Sequence, residues 1–239
     1  MKSLLILGAT SSIAKACAEI FASRGYRLFL ASRDLFELAR LAKDLHIRFK
    51  TQIDYSFFDV AVLESHASFF KKVLDTMGSI DGILMAIGLL DKKYSPAEII
   101  VTNFTGPASI LALCADYLSS QKKGFIVGLS SVAGDRGRQS NYIYGASKSA
   151  LTVYLQGLRS YLHPHHVHVL TIKLGLIDTK MTFGASYPLF LAANPQKTGL
   201  KIINALDKRK ESVYIPKSWR IIMLIIRLIP EKIFKHLKV

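Results

Sequence analysis

Cysteine is nearly absent from this chain. Its two copies, Cys17 and Cys114, lie far apart in helix-like patterns and form no Cys-x-x-Cys pair. That argues against a disulfide framework or a cysteine zinc site, and a reducing, cytoplasmic setting is expected. Long apolar runs are lacking too. The hydrophobic stretch behind Met1 and Lys2 stops at Gly8, too short for a signal peptide. No window approaches the ~20 consecutive apolar residues of a membrane helix. Acids are scarce: 17 Asp and Glu face 32 Lys and Arg, a formal net charge of +15. The imbalance raises an anionic partner, nucleic acid or a membrane surface. It is densest from Lys201 to Val239, where ten Lys and Arg meet three acids, Asp207, Glu211 and Glu231.

What is present is a regular alternation. Apolar, β-prone runs at 3–7, 27–31, 55–60, 82–88, 124–130, 167–173 and 212–215 are separated by helical patterns. The helices fall at about 12–24, the segment up to Leu45, 62–77, 96–119, 141–161 and 195–208. Strands alternating with helices make βαβ units, and near-continuous apolar strands fit a sheet covered on both faces. The expectation is one α/β domain over 1–216, a three-layer, doubly wound Rossmann fold with a mostly parallel sheet of seven strands. Residues 217–239 follow as a basic, apolar helical tail. In such folds ligands sit at the carboxyl ends of the strands.

One glycine stands where a dinucleotide loop has three. The stretch Gly-Ala-Thr-Ser-Ser-Ile-Ala begins at Gly8, where the first strand gives way to the first helix. Free N–H groups and the positive helix end there suit a pyrophosphate, which makes Gly8, Thr10, Ser11, Ser12 and Ile13 candidate cofactor residues. A plain strand-to-helix turn would use similar residues as turn formers and caps. At the end of the second strand, where an acid would meet a free ribose 2′-hydroxyl, stand Ser32 and Arg33. A guanidinium there can pair with a 2′-phosphate, so NADP(H) is expected in preference to NAD(H).

Tyr144 and Lys148 are four residues apart, so on a helix they share a face, and Ser131 lies thirteen residues before Tyr144. A phenol with a pKa near 10 is a poor neutral-pH acid. An ammonium about 4 Å away would favour its phenolate by ~4 kcal/mol at an effective dielectric near 20. Ser131 would then hydrogen-bond a carbonyl that Tyr144 protonates as hydride arrives.

With Ser131 and Tyr-x-x-x-Lys in place, the chain resembles the short-chain dehydrogenase/reductases over at least residues 1–215. The resemblance implies further roles. Asn103 matches the family's asparagine and would order a proton-relay water. Lys148 would also hold the nicotinamide ribose. Asp59, with Val60 beside it, matches the adenine-side acid, Gly88 ends the loop after the fourth strand, and Gly175, Ile177 and Thr179 belong to the segment over the nicotinamide. It also implies a homodimer or homotetramer through the helices at 96–119 and 141–161. Three departures touch the cofactor cradle: Leu7, Ser12 and Ala14 within the glycine motif, Met85 to Gly88 for Asn-Asn-Ala-Gly, and Leu174 for a proline.

The substrate side is expected to be greasy. Residues 181–195 read as a substrate cover with Phe183, Tyr187 and Phe190, although core packing would use the same residues. The histidines between His163 and His168 read as a polar loop, and no metal is expected. Lys217, Arg220 and Arg227 make a narrow basic stripe on the tail. Such a segment suits peripheral contact with the inner face of a membrane, with docking onto the domain or a partner copy as the alternative. No nucleic-acid motif is present. Within the family the chain is most similar to the decaprenylphosphoryl-2-keto-ribose reductases and their relatives, which implies reduction of a small-molecule or lipid-linked carbonyl, such as a keto-sugar. The competing class is a non-catalytic NADP-binding module whose tail recruits a membrane or a partner.

Overall fold

The computed structural model describes residues 1–90, 93–179 and 192–237. Seven strands form a single parallel sheet: β1 (Ser3–Leu7), β2 (Arg27–Ser32), β3 (Ile53–Phe57), β4 (Gly82–Met85), β5 (Phe125–Ser131), β6 (His168–Leu174) and β7 (Ser212–Ile215). Their order is β3-β2-β1-β4-β5-β6-β7, so the winding reverses between β1 and β4. That switch point is where a doubly wound sheet opens a crevice.

Side chains of β1 alternate between two cores, as the strand period dictates. Leu4 and Ile6 pack with Cys17 and Phe21 of α1 (Ser12–Ser23), Leu38 and Leu45 of α2 (Leu35–Phe49), and Ile202 and Ile203 of α7 (Pro195–Asp207). Leu5 and Leu7 face the other way. They meet Phe70 and Val73 of α3 (His66–Met77), Leu111 of α5 (Gly106–Gln121), and Leu151 and Leu155 of α6 (Tyr142–Leu162). Each such fully buried leucine or phenylalanine contributes about 1.5–3 kcal/mol. Cys17 and Cys114 lie inside these cores as free thiols, and burial pushes Cys17 up to about 12.

Three boundaries differ from the apolar runs. β3 occupies 53–57 instead of 55–60, because its only ladder partner, β2, ends at Ser32, which pairs with Phe57. β4 stops at Met85, opposite Leu7, the last residue of β1. The apolar residues beyond both ends line the crevice. The helix expected at 96–119 is broken in the middle. A short α4 (Pro96–Ile100) leads into a π-helical turn at Val101–Thr105, and α5 follows. Pro107 has no N–H to offer the Asn103 carbonyl four residues back, so the regular ladder has to change pitch there. By length and composition Pro96–Gln121 would pass for a membrane span, which counting consecutive apolar residues did not register. Its apolar residues Ile110, Leu111, Cys114 and Leu118 are buried in the domain core.

The tail is bent at Pro230 into α8 (Trp219–Leu228) and α9 (Glu231–Phe234). It docks on the domain. Gly175, just after β6, lies so close to the Trp219 indole that a Cβ there would sit 2.1 Å from its Nε1. Met223 and Phe234 are buried. The Arg136 guanidinium donates to the carbonyls of Ile226, Arg227 and Ile229 and to Glu231, and lies 4.1 Å from the Phe234 ring centroid. These carbonyls cluster at the C-terminal end of α8, where a cation also complements the helix dipole.

Candidate active site

The crevice at the switch point has a volume of about 200 Å³. Gly8, Thr10 and Ser11 line it from the β1–α1 turn, Ser32 and Arg33 from the end of β2, Asp59 and Val60 from the loop after β3, and Gly88 from the loop after β4. Gly8 has φ +81°, and a Cβ on it would lie 2.9 Å from the Ala86 carbonyl carbon and the Ile87 nitrogen. No L side chain fits either requirement. Ser11 caps α1, its Oγ accepting from the Ala14 N–H, and Ser12 is the first helical residue. Ile13 turns its side chain into the core. Of the five turn candidates, then, three line the crevice and two belong to the helix behind it.

Two side-chain bonds hold the adenosine end in shape. The hydroxyls of Thr10 and Ser32 are 2.8 Å apart, and Asp59 Oδ1 accepts from the Ala61 N–H at 3.0 Å. Asp34 is committed to capping α2 through the Glu37 N–H. Arg33 beside it is exposed, which leaves a guanidinium at the mouth of the crevice. An anion-receiving helix start and a turn only glycine can occupy, with a guanidinium at the mouth, fit a nicotinamide dinucleotide.

The other half of the site hangs on β5 and α6. Ser131 is the last residue of β5. Its Oγ accepts from the Ala133 N–H and donates to the Leu174 carbonyl at 3.3 Å. Tyr144 lies in the first turn of α6, and the Ser131 hydroxyl is near enough to favour its phenolate. Lys148 is buried one turn further on and donates to the carbonyls of Ile87 and Leu129, each at 3.3 Å. Ile87 lines the crevice, so the ammonium reaches its back wall.

The Lys148 nitrogen is 5.9 Å from the Tyr144 ring centroid and also donates to two backbone carbonyls. Burial lowers Lys148 to about 8. Tyr144 is shifted upward, chiefly by burial, while the Ser131 hydrogen bond and the Arg138 charge pull the other way. Arg138 is thus a second cation acting on the phenol, one not picked out from the residue pattern. Two arginines between Ser131 and Tyr144 were the available signal.

Asn103 sits in the π-helical turn, fully buried. Its Oδ1 accepts from the Leu89 N–H at 2.7 Å and its Nδ2 donates to the Leu89 carbonyl at 2.9 Å. Both polar side-chain atoms are used on Leu89. The side chain clamps the loop that supplies Ile87 and Gly88.

Beyond β6, Gly175 donates to the Ile215 carbonyl and Ile177 is buried and bridges Ala193. Thr179 is the last residue described before the expected cover; of 181–195 only 192–195 are described, and Phe183, Tyr187 and Phe190 lie outside. The histidine run forms a 3₁₀ turn, His163–His165, leading into β6. No group of three metal-ligating side chains occurs among the described residues. Phe58, Ala86, Leu89 and Thr102 also line the crevice. Nothing in their residue types marks them, because each is placed by where a neighbouring strand ends.

Comparison with known proteins agrees with this geometry. The short chain dehydrogenase family model matches residues 2–186. An uncharacterized oxidoreductase of Streptomyces coelicolor is 31% identical over 100% of this chain and 96% of its own. One of Mycobacterium tuberculosis is 28% identical over 98% and 96%. Among solved structures, a short-chain dehydrogenase from Sphingobium yanoikuyae in complex with NADPH superposes with a TM-score of 0.80 at 22% identity, covering 97% of each chain. An alcohol dehydrogenase from Thermococcus sibiricus complexed with 5-hydroxy-NADP gives 0.77 at 24%, over 90% of this chain and 95% of that one. The chain belongs to the short-chain dehydrogenase family and is an NAD(P)-dependent oxidoreductase.

Proposed function

We propose that this oxidoreductase is an NADPH-dependent carbonyl reductase in which Tyr144 is the proton donor. The observation that carries the reading is the crevice at the switch point whose back wall, Ile87, the buried Lys148 ammonium reaches from the helix that also carries Tyr144. The coenzyme such a crevice holds supplies a hydride. The chain's own groups do the rest. The Ser131 O–H donates to the substrate carbonyl oxygen and orients it. Tyr144, kept protonated by its burial, gives its proton to that oxygen as charge develops there. The buried Lys148 ammonium lies behind the phenol and re-supplies the proton through water at the Asn103 carbonyl. Gly8, Thr10 and Ser11 would hold the pyrophosphate, with Ser12 and Ile13 ordering the helix start. Ser32 and Arg33 would hold the 2′-phosphate, Asp59 and Val60 the adenine, and Gly88, Gly175, Ile177 and Thr179 the nicotinamide side.

Arg33 tests the cofactor half. Its bond to a 2′-phosphate is charge-assisted and at the protein surface, so Arg33→Ala should cut the NADPH-over-NADH ratio of kcat/KM by about 10- to 100-fold. Steady-state rates with both coenzymes read the ratio directly, and an unchanged ratio defeats the assignment.

The tail adds a second element. Ile221, Leu224, Ile225 and Leu228 form one stripe at helical spacing, and they are 57–73% exposed although α8 is docked. Arg220 and Arg227 flank it. This arrangement supports peripheral contact with anionic lipid on the cytoplasmic face of a membrane, and with it a lipid-linked carbonyl such as a keto-sugar as substrate. Leu224→Gln with Leu228→Gln spares the docking residues Trp219, Met223 and Phe234. The pair should lower binding to phosphatidylglycerol vesicles by at least about tenfold, since each leucine buried in lipid is worth about 1.5–3 kcal/mol. Equal flotation of both proteins removes the membrane reading, and a stripe that instead joins two copies would show as a change in mass.

A further inference from the structure

The loop between Ser131 and α6 carries three charged side chains, and two are fully committed. Asp135 pairs with Lys173 at 2.5 Å and accepts from the Tyr214 hydroxyl at 2.8 Å. Arg136 is spent on α8 and Glu231. Arg138 is different. Its Nε is buried and has no hydrogen-bond partner, and among the described residues no carboxylate pairs with it. Three residues on, the Asn141 Oδ1 is also buried and unpartnered. Buried polar groups are almost always satisfied, and a guanidinium is costlier to strand than a neutral group.

Arg138 does not line the coenzyme crevice. It stands at the entry to α6, where its carbonyl accepts from the Asn141 N–H and the Asn141 carbonyl accepts from the Gly145 N–H, the residue after Tyr144. A ligand that meets it therefore comes from the substrate side and has its reacting carbonyl at the Ser131–Tyr144 pair. A planar fork of N–H donors matches a carboxylate or a phosphate ester, and Asn141 offers an acceptor to a hydroxyl.

The geometry points to Arg138 as a specificity-determining residue that binds an anionic group, carboxylate or phosphate ester, on the carbonyl substrate. This rests on the carbonyl-reductase reading and narrows its substrate class. Neutral ketones of the same shape would leave the guanidinium stranded, and discrimination by an unpaired polar group is strong.

The test uses matched pairs with the full chain and NADPH: 4-methyl-2-oxopentanoate against its methyl ester, and fructose 6-phosphate against fructose. One pair reports a carboxylate, the other a phosphate ester. The expected result is a preference for the anionic member of at least one pair. Arg138→Met should lower that member's kcat/KM about 10- to 100-fold, the loss of a hydrogen bond to a charged group, and at least tenfold more than it lowers the neutral member's. Arg138→Lys should restore part of the preference.

Calorimetric titration of the NADP⁺-saturated protein with the same four compounds reads binding without turnover. The proposal is overturned if neither anion binds in an Arg138-dependent way, or if Arg138→Met weakens both members of each pair equally. Should Tyr144→Phe leave turnover unchanged while Arg138-dependent anion binding persists, the reductase reading fails and the anion site stands.

Discussion

Tyr144→Phe should lower the rate of carbonyl reduction by about 10²- to 10⁴-fold, the range general acid catalysis contributes. The substitution removes one oxygen and leaves the ring in place, and Gly145 and Ser147 around it keep their bonds to Asn141 and to the Tyr144 carbonyl. Circular dichroism and NADPH affinity should therefore change little. Reduction would then depend on water to protonate the oxygen, held only by Ser131. Rates are to be read with NADPH in excess over a panel of ketones, keto acids and keto-sugars. A variant as fast as the parent would show that the phenol is not the acid, and would favour the non-catalytic NADP-binding module in its place.

Asp135→Ala should cost the fold about 3–5 kcal/mol, the penalty for stranding one partner of a buried ion pair. The side chains of Asp135 and Lys173 are 4% and 12% exposed, so the remaining ammonium cannot be rehydrated in place. For a domain of this size the melting temperature should fall by roughly 10 °C. Lys173→Met combined with Asp135→Ala should recover most of the loss, because no charge is then left buried. Thermal and denaturant unfolding of the three variants measure both effects. A loss under about 1 kcal/mol, the level of an exposed pair, would mean that water reaches the pair and that it does not fasten the catalytic loop to β6.

Much of this was legible in the residues. The continuous apolar runs marked the seven strands along the chain, while their spatial order and the reversal between β1 and β4 are settled by the fold. Gly8 was readable as a turn glycine and Ser131, Tyr144 and Lys148 as one constellation, since helical spacing alone brings the last two together. Strand ends were not readable. Phe58 and Val60 are as apolar as their neighbours, and only the end of β2 decides that they leave the sheet. The π-helical turn was hidden in the same way, although Pro107 marks it once its i−4 partner is recognised as Asn103. What no local pattern shows is how charge is shared over distance. Lys148 is aligned with Tyr144 in sequence but spends its ammonium on Ile87 and Leu129. Arg138 lies on the loop that enters α6 just before Tyr144, a neighbourhood the residue pattern alone does not weigh. The tail's stripe was expected to be basic, whereas the docked helix presents its leucines and isoleucines with arginines along one flank.

Arg136 has a meaning in polymer terms as well. Its bond to Glu231 joins positions 95 residues apart, a non-covalent crosslink tying the loop before Tyr144 to the last turns of the chain. Loop closure over such a distance is entropically expensive and is recovered only while both ends stay folded. Fraying of α8 and α9 therefore cannot proceed independently, as terminal helices commonly do. Such fraying releases the Arg136 end of the loop, which couples the outermost helices to the segment that leads into Tyr144.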